Sequence, residues 1–339
     1  MSVLTPASPM KTLETSSLPA LEGQHLLGIE TLSRAEIETI LSLAAEYKEG
    51  IVSRPDERLT TLQGRTLVNL FFENSTRTRT SFELAGKRLG ADVVNFDVAT
   101  SSIAKGETLV DTAETIEALG ARFIVMRHPA SGSCQFLLRH VTASLINAGD
   151  GSHEHPTQAL LDALTIQEAL GRVEGARVSI IGDALHSRVA RSVIYALTKL
   201  GAHVTVAGPS TLVPVKFGLL GVEVRHSFHE AVADADVIYL LRVQTERQTG
   251  NYLPSMGEYR SLFGMDADRL SRTKPTALVM HPGPVNRGVE VTREVMDSPR
   301  SRILGQVTNG VAVRMAVLTL LDRARQRAGA LVASGKAGR

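Results

Sequence analysis

Apolar residues along this chain recur with two periods. Over 32–48, Leu32, Ile37, Ile40, Leu41, Leu43 and Ala44 return every three to four positions behind Ser33, which predicts a helix with a capping serine. The compact apolar run 66–72 predicts a buried strand that stops at Glu73-Asn74-Ser75, and Phe82, Ala85 and Leu89 mark a helix ended by Gly90. The pattern then predicts a strand over 93–97, a polar loop over 98–106, a helix over 107–119 and a strand over 121–126. A helix over 133–140, a strand over 143–147 and a helix from Pro156 to Gly171 complete the first half.

The second half repeats the alternation. Residues 177–181 predict a buried strand, 188–200 a helix, 203–207 and 222–225 strands, 228–233 a short helix and 236–241 a strand. A long polar stretch follows, then a strand over 276–280 and a closing helix over 306–325. Strands alternating with helices predict the α/β class: two doubly wound parallel-sheet domains joined by helices. The expected division is a flexible N-terminal extension over 1–22, a first domain over 23–170 completed by the returning helix 306–325, and a second domain over 171–305. In such sheets ligands bind beyond the carboxyl ends of strands, so the informative residues are expected just after them.

Composition narrows the function classes. The chain has 339 residues, 43% hydrophobic and 21% charged, which at about 150 residues per domain agrees with two ordinary globular domains. The net charge of +2 leaves no field to hold nucleic acid nonspecifically. Of the 37 basic residues 29 are Arg, the side chain suited to planar recognition of carboxylate and phosphate, although codon bias gives the same count. Cys134 is the only cysteine, which excludes an intrachain disulfide and a cysteine-based zinc site. No apolar run reaches the about 18 residues of a membrane span, and residues 1–20 lack the apolar core of a signal peptide. These features predict a cytoplasmic enzyme without a membrane or nucleic-acid partner.

The chemistry-bearing segments fall where the topology puts them. Ser75-Thr76-Arg77-Thr78-Arg79 follows a strand and opens a helix, where unpaired N–H groups and a partial positive charge favour an anion. Arg77 and Arg79 lie about 200° apart around a helix, so only one of them faces a given ligand. A cap followed by solvated arginines is the alternative reading of this run. In His153-Glu154-His155-Pro156-Thr157-Gln158, Pro156 fits a first helical position and His155 and Gln158 point the same way; the His-x-His pair lacks the further ligands of a zinc site. Arg188 stands at a helix entrance and Arg242 after a strand, two forks suited to a diacid, while either alone reads as a surface ion pair. His281-Pro282-Gly283-Pro284 is a stiff loop that presents carbonyls.

Phe71-Phe72-Glu73-Asn74-Ser75-Thr76-Arg77-Thr78-Arg79 resembles the carbamoyl-phosphate signature of the aspartate and ornithine carbamoyltransferases, and five further segments match in order over about residues 25–325. The resemblance implies a carbamoyl-phosphate site of Ser75, Thr76, Arg77, Thr78, Ser101, Arg127, His155, Gln158, Gly283 and Pro284, with Arg79 structural. It implies an aspartate site of Lys105, Arg188, Arg242 and Gln244, and catalytic roles for Arg77, Thr78, Lys105, Arg127 and His155. Ser101 and Lys105 resemble the loop that reaches a neighbouring subunit's site, so a homotrimer with shared sites is implied. A larger assembly with regulatory or dihydroorotase-like chains is compatible with the same resemblance. No cofactor and no metal are implied.

The acceptor implied is L-aspartate, giving N-carbamoyl-L-aspartate and phosphate, the committed step of pyrimidine (UMP) synthesis. Ornithine enzymes carry a Cys in the final loop, where this chain has Pro282, and Ser255-Met256-Gly257 lacks their surrounding context and reads as coincidence. Alternatives are transfer to another amino acid such as ornithine and an inactive scaffold homologue. A dinucleotide-dependent dehydrogenase is the third, disfavoured because the strand ending at Gly182 is not followed by G-x-G-x-x-G.

Overall fold

The computed structural model describes residues 21–96, 106–244 and 252–337, with side chains described as far as residue 331. Nine parallel strands form two sheets among the described residues. The first contains β1 (Thr66–Phe71), β2 (Asp92–Phe96), β3 (Ala121–His128) and β4 (Ser144–Asp150) in the order β2-β1-β3-β4. The second contains β5 (Arg177–Ile181), β6 (His203–Ala207), β7 (Glu223–Arg225), β8 (Val237–Leu240) and β9 (Leu278–Met280) in the order β7-β6-β5-β8-β9. The order reverses between β1 and β3 in one sheet and between β5 and β8 in the other. Those two switch points are where a crevice opens at the strands' carboxyl ends.

The helices of the first half are α1 (Arg34–Ser53), α2 (Thr76–Arg88), α3 (Leu109–Ala118), α4 (Ser133–Leu137) and α5 (Pro156–Leu170). Those of the second are α6 (Arg188–Lys199), α7 (Phe228–Val232), α8 (Met256–Phe263), α9 (Ala267–Ser271), α10 (Arg293–Met296) and α11 (Ile303–Ala337), with a 3-10 turn over Val215–Leu220. Ser33 caps α1 in a reciprocal box with Glu36, as its spacing predicts.

Three differences from the pattern have local causes. β4 runs three residues past the apolar run because Asn147 and Asp150, both buried, satisfy each other through a 2.8 Å hydrogen bond, and Asn147 also donates to the Leu27 carbonyl. The polar stretch after β8 contains α8 and α9, each started by a capping side chain, Ser255 on Glu258 N–H and Asp266 on Arg269 N–H. Ser255-Met256-Gly257 is thus a helix start. The closing helix begins at Ile303 and continues past 325.

α11 returns from the second sheet to pack on α1, α2 and α5. Residues Ile303–Leu331 are long and apolar enough by composition to cross a membrane, yet two thirds of their most apolar stretch is buried inside the protein, as in a core helix. One apolar cluster runs from Leu26 through α1, α5, α6 and α11 to Met280, joining the bases of both sheets. Leu21 is buried in the same cluster and Glu22 N–H donates to Glu36; residues 1–20 of the expected extension lie outside the described residues.

Candidate active site

The two switch points face one open cleft. Its walls carry Ser75, Thr76, Arg77, Thr78, Arg127, His155, Gln158, Arg188, Arg242, Gln244, Gly283 and Pro284. Segments more than 200 residues apart in sequence are thereby brought together. Ser101 and Lys105 lie outside the described residues, so the structure places neither.

The start of α2 forms one wall. Ser75 occupies the cap position without a side-chain capping bond, because its hydroxyl accepts from Arg127 Nη1 at 2.9 Å. The first-turn N–H groups therefore face the cleft with no capping oxygen, the arrangement that favours an anion. Arg77 points into the cleft and Arg79 does not. Burial, and then the neighbouring Arg242 cation, hold Arg77 below the usual guanidinium range, so the two positive groups share a region short of negative charge. A Cβ on Gly283 would lie 3.1 Å from Arg77 Cζ, and Gly283 has φ +64°, so the backbone passes closely over the guanidinium where only glycine is relaxed.

Glu73, to which the sequence motifs assign no role, joins two of these cations. Its Oε2 accepts from Arg127 Nε at 3.0 Å and from Arg188 Nη2. Burial alone would raise the Glu73 carboxyl, but Arg188 and Arg127 outweigh it and hold the group below its ordinary value. Arg188 is 2% exposed and its Nη1 has no hydrogen-bond partner among the described residues, a buried donor facing the cleft. A Cβ on Gly149 would lie 3.0 Å from Arg188 Nε, so the end of β4 is shaped around this side chain. The signal for Glu73 in the sequence was only its position at the mouth of β1.

The opposite wall comes from α5 and the loops of the second sheet. His155 occupies the cap position of α5, and its N–H is fixed by Ser192 Oγ at 2.8 Å. Gln158, one turn on, donates from Nε2 to Asp162 Oδ1 at 3.0 Å. Gln244 N–H donates to Asp183 Oδ2 at 3.2 Å, and Glu290 accepts from Val243 N–H and from Asn286, which holds the strand-end loop carrying Arg242. In the final loop His281 Nδ1 accepts from Gly283 N–H at 2.8 Å, which puts the ring proton of the neutral form on Nε2. Burial, then Arg77 and Arg242, push His281 down to about 3, so the ring is neutral at physiological pH.

Glu30, His153 and Glu154 bring ligand atoms within 4.8 Å of one another, but Glu154 already accepts from Ile29 N–H, Glu30 N–H and Ser192, and His153 bonds Asp150. These groups tie the 28–30 turn to α6.

Comparison with known proteins agrees with this geometry. The model of the aspartate/ornithine carbamoyltransferase carbamoyl-P binding domain matches residues 24–168, and that of the Asp/Orn binding domain matches residues 174–321. An aspartate carbamoyltransferase catalytic subunit from Beijerinckia indica is 55% identical over 309 residues, 91% of this chain and 97% of that one. The corresponding subunit of Opitutus terrae is 56% identical over 297 residues, 88% and 94% of the two chains. Among solved structures, aspartate transcarbamoylase from Trypanosoma cruzi in complex with N-(phosphonacetyl)-L-aspartic acid superposes with a TM-score of 0.82 at 36% identity, covering 90% of this chain and 99% of that one. The same enzyme in complex with carbamoyl phosphate and aspartate gives 0.81 at 35% identity, covering 89% and 99%.

Proposed function

The chain belongs to the aspartate/ornithine carbamoyltransferase family, and from that premise we propose that it transfers the carbamoyl group of carbamoyl phosphate to the α-amino nitrogen of L-aspartate. The observation that carries this reading is the convergence of Arg77, Arg127, Arg188 and Arg242, from four separate segments, on the uncapped start of α2. That is a seat for a dianionic donor beside a diacid acceptor.

Arg77, Thr78, Ser75, Thr76 and the α2 N–H groups hold the phosphate. Thr78, Arg127 and His155 surround the carbamoyl oxygen, where negative charge grows as the amine attacks; such donors each contribute about 2.7–4 kcal/mol to lowering a barrier. Gln158 and the backbone of Gly283 and Pro284 receive the carbamoyl amino group. Arg188 and Arg242 bind the two carboxylates and Gln244 lies near the α-amino group, so much of the rate comes from positioning. The C–N bond forms, the C–O bond to phosphate breaks, and the departing phosphate takes the amine proton. No step calls for a metal or a covalent enzyme intermediate.

Aspartate is favoured over ornithine by charge. The ornithine side chain ends in an ammonium group, which Arg242 would repel where it would attract a carboxylate. The division into a donor domain over 23–170, completed by 306–325, and an acceptor domain over 171–305 follows the same assignment. The product belongs to pyrimidine synthesis, and a cytoplasmic enzyme is the reading that goes with it. Ser101 and Lys105 are assigned to a neighbouring subunit's site in a homotrimer. The test is direct: carbamoyl phosphate plus L-aspartate should yield N-carbamoyl-L-aspartate, and substituting L-ornithine should yield no carbamoylated product. Turnover of ornithine alone would overturn the acceptor assignment.

A further inference from the structure

Asp162 lies mid-helix in α5, fully buried, and touches neither the cleft nor solvent. Its Oδ1 accepts from Gln158 Nε2 at 3.0 Å and from Gln306 Nε2 at 2.7 Å, and its Oδ2 accepts from the Tyr239 hydroxyl at 2.6 Å. Gln306 in turn has its amide direction fixed, because its Oε1 accepts from the backbone N–H of His281 at 3.0 Å. A backbone N–H only donates, so Gln306 must present Nε2 to Asp162. Asp162 Oδ1 is therefore an acceptor, and Gln158, facing the same oxygen, must also present Nε2 to it. The free end of Gln158 that faces the cleft is then Oε1.

We infer that Asp162 and Gln306 are positioning residues that set the polarity of the Gln158 amide, so that the cleft offers a carbonyl oxygen to the amino group of the carbamoyl donor. The inference rests on the functional reading above and deepens it: it explains how the site tells carbamoyl phosphate from an acyl phosphate of the same shape that carries a methyl in place of the amino group. Hydrogen bonding to the ligand's N–H rejects an isostere that lacks it more strongly than shape does.

The relay holds in either ionisation state of Asp162. Burial pushes this carboxyl up to about 7, with Tyr239, Gln306, Gln158 and the buried Arg314 as the groups that face it. A proton taken up near neutrality resides on Oδ2, where the Tyr239 oxygen accepts it, and Oδ1 remains an acceptor for both amides.

The test exchanges the two ends of the relay. In Asp162→Asn alone, Gln306 still donates, so the introduced amide keeps its oxygen toward Gln158, and KM for carbamoyl phosphate should stay within about twofold. In the double variant Asp162→Asn with Gln306→Glu, charge and atom count are unchanged and every hydrogen bond is satisfiable. The carboxylate introduced at position 306 only accepts, however. The amide introduced at position 162 must then turn its amino group inward, and Gln158 must present Nε2 to the cleft. Donor then meets donor, and KM for carbamoyl phosphate should rise about tenfold or more. The inhibition constant of acetyl phosphate should change by less than about threefold.

A second comparison is independent of the exchange: Asp162→Leu should lose carbamoyl phosphate selectively, where Asp162→Asn does not. Equal weakening of both ligands, an exchanged pair with wild-type donor preference, or Asp162→Asn as impaired as Asp162→Leu would each overturn the inference. A wild-type protein that makes no N-carbamoyl-L-aspartate would overturn the functional reading instead.

Discussion

Glu73 decides how the cationic cleft is arranged before any ligand arrives. One of its oxygens receives Arg127 and Arg188 together, which offsets the repulsion between two like charges and aims both at the cleft. Glu73→Gln keeps an oxygen but removes the charge, so kcat/KM for aspartate should fall about ten- to hundredfold, the scale of lost charge-assisted hydrogen bonds, in steady-state assays. Arg77→Ala should lower kcat about a hundred- to a thousandfold, the cost of losing one preorganised donor. Its circular dichroism and thermal midpoint should be unchanged, since Arg77 lines the open cleft and forms no ion pair among the described residues.

His281 carries a pH expectation. Its folded value of about 3 lies below the ordinary 6.5, so the unfolded chain takes up a proton that the folded one refuses. Its contribution to stability is complete above pH 6.5 and declines as the pH falls toward 3. Chemical unfolding at stepped pH should therefore show a shallower acid slope for His281→Gln than for the wild type; equal slopes would contradict the assignment. The arginines were legible because each closes a recognisable motif. Glu73, Asp162 and Gln306 were not: Glu73 meets Arg127 from 54 residues away and Asp162 meets Gln306 from 144, pairings that no spacing encodes, and the local Gln158–Asp162 step of four residues means nothing without them.

At the scale of elements, the start of α2 and the starts of α8 and α9 show opposite uses of one device. Ser255 and Asp266 close their helices with ordinary caps, while Ser75 gives its hydroxyl to Arg127 and leaves its helix open to a ligand. Ser255→Ala should cost about 1 kcal/mol in urea unfolding, whereas Ser75→Ala should change stability less and weaken phosphate binding more. The capping signals Ser255-x-x-Glu258 and Asp266-x-x-Arg269 were present in the sequence, but the polar composition around them hid the short helices they begin. The strands of the two sheet centres were easier: their apolar runs are buried and end where the chain turns polar, whereas at the outer strand β4 buried Asn147 and Asp150 disguise the strand's end. The apolar spacing of α11 likewise gave a helix whose pairing with α1, α2 and α5 only the folded chain displays.

In the whole molecule the two sheets share one apolar cluster, and loops from both line the cleft. If the assignment of Lys105 to a neighbouring subunit is right, chains carrying Lys105→Ala and chains carrying Arg77→Ala should recover activity when mixed, because some sites then inherit both intact residues. Absence of recovery in mixed oligomers identified by native mass spectrometry would reject that assignment.

The pairing of two topological reversals, one per sheet, also makes the protein modular. The described residues assigned to the donor hang from β1, β3, α5 and the loop after β9, while those assigned to the acceptor hang from the ends of β5 and β8. A new nucleophile would thus require rebuilding the short loops around Arg188 and Arg242 together with Glu73, a carboxylate shared by both halves, much as a chuck accepts a different bit once its jaws are reset.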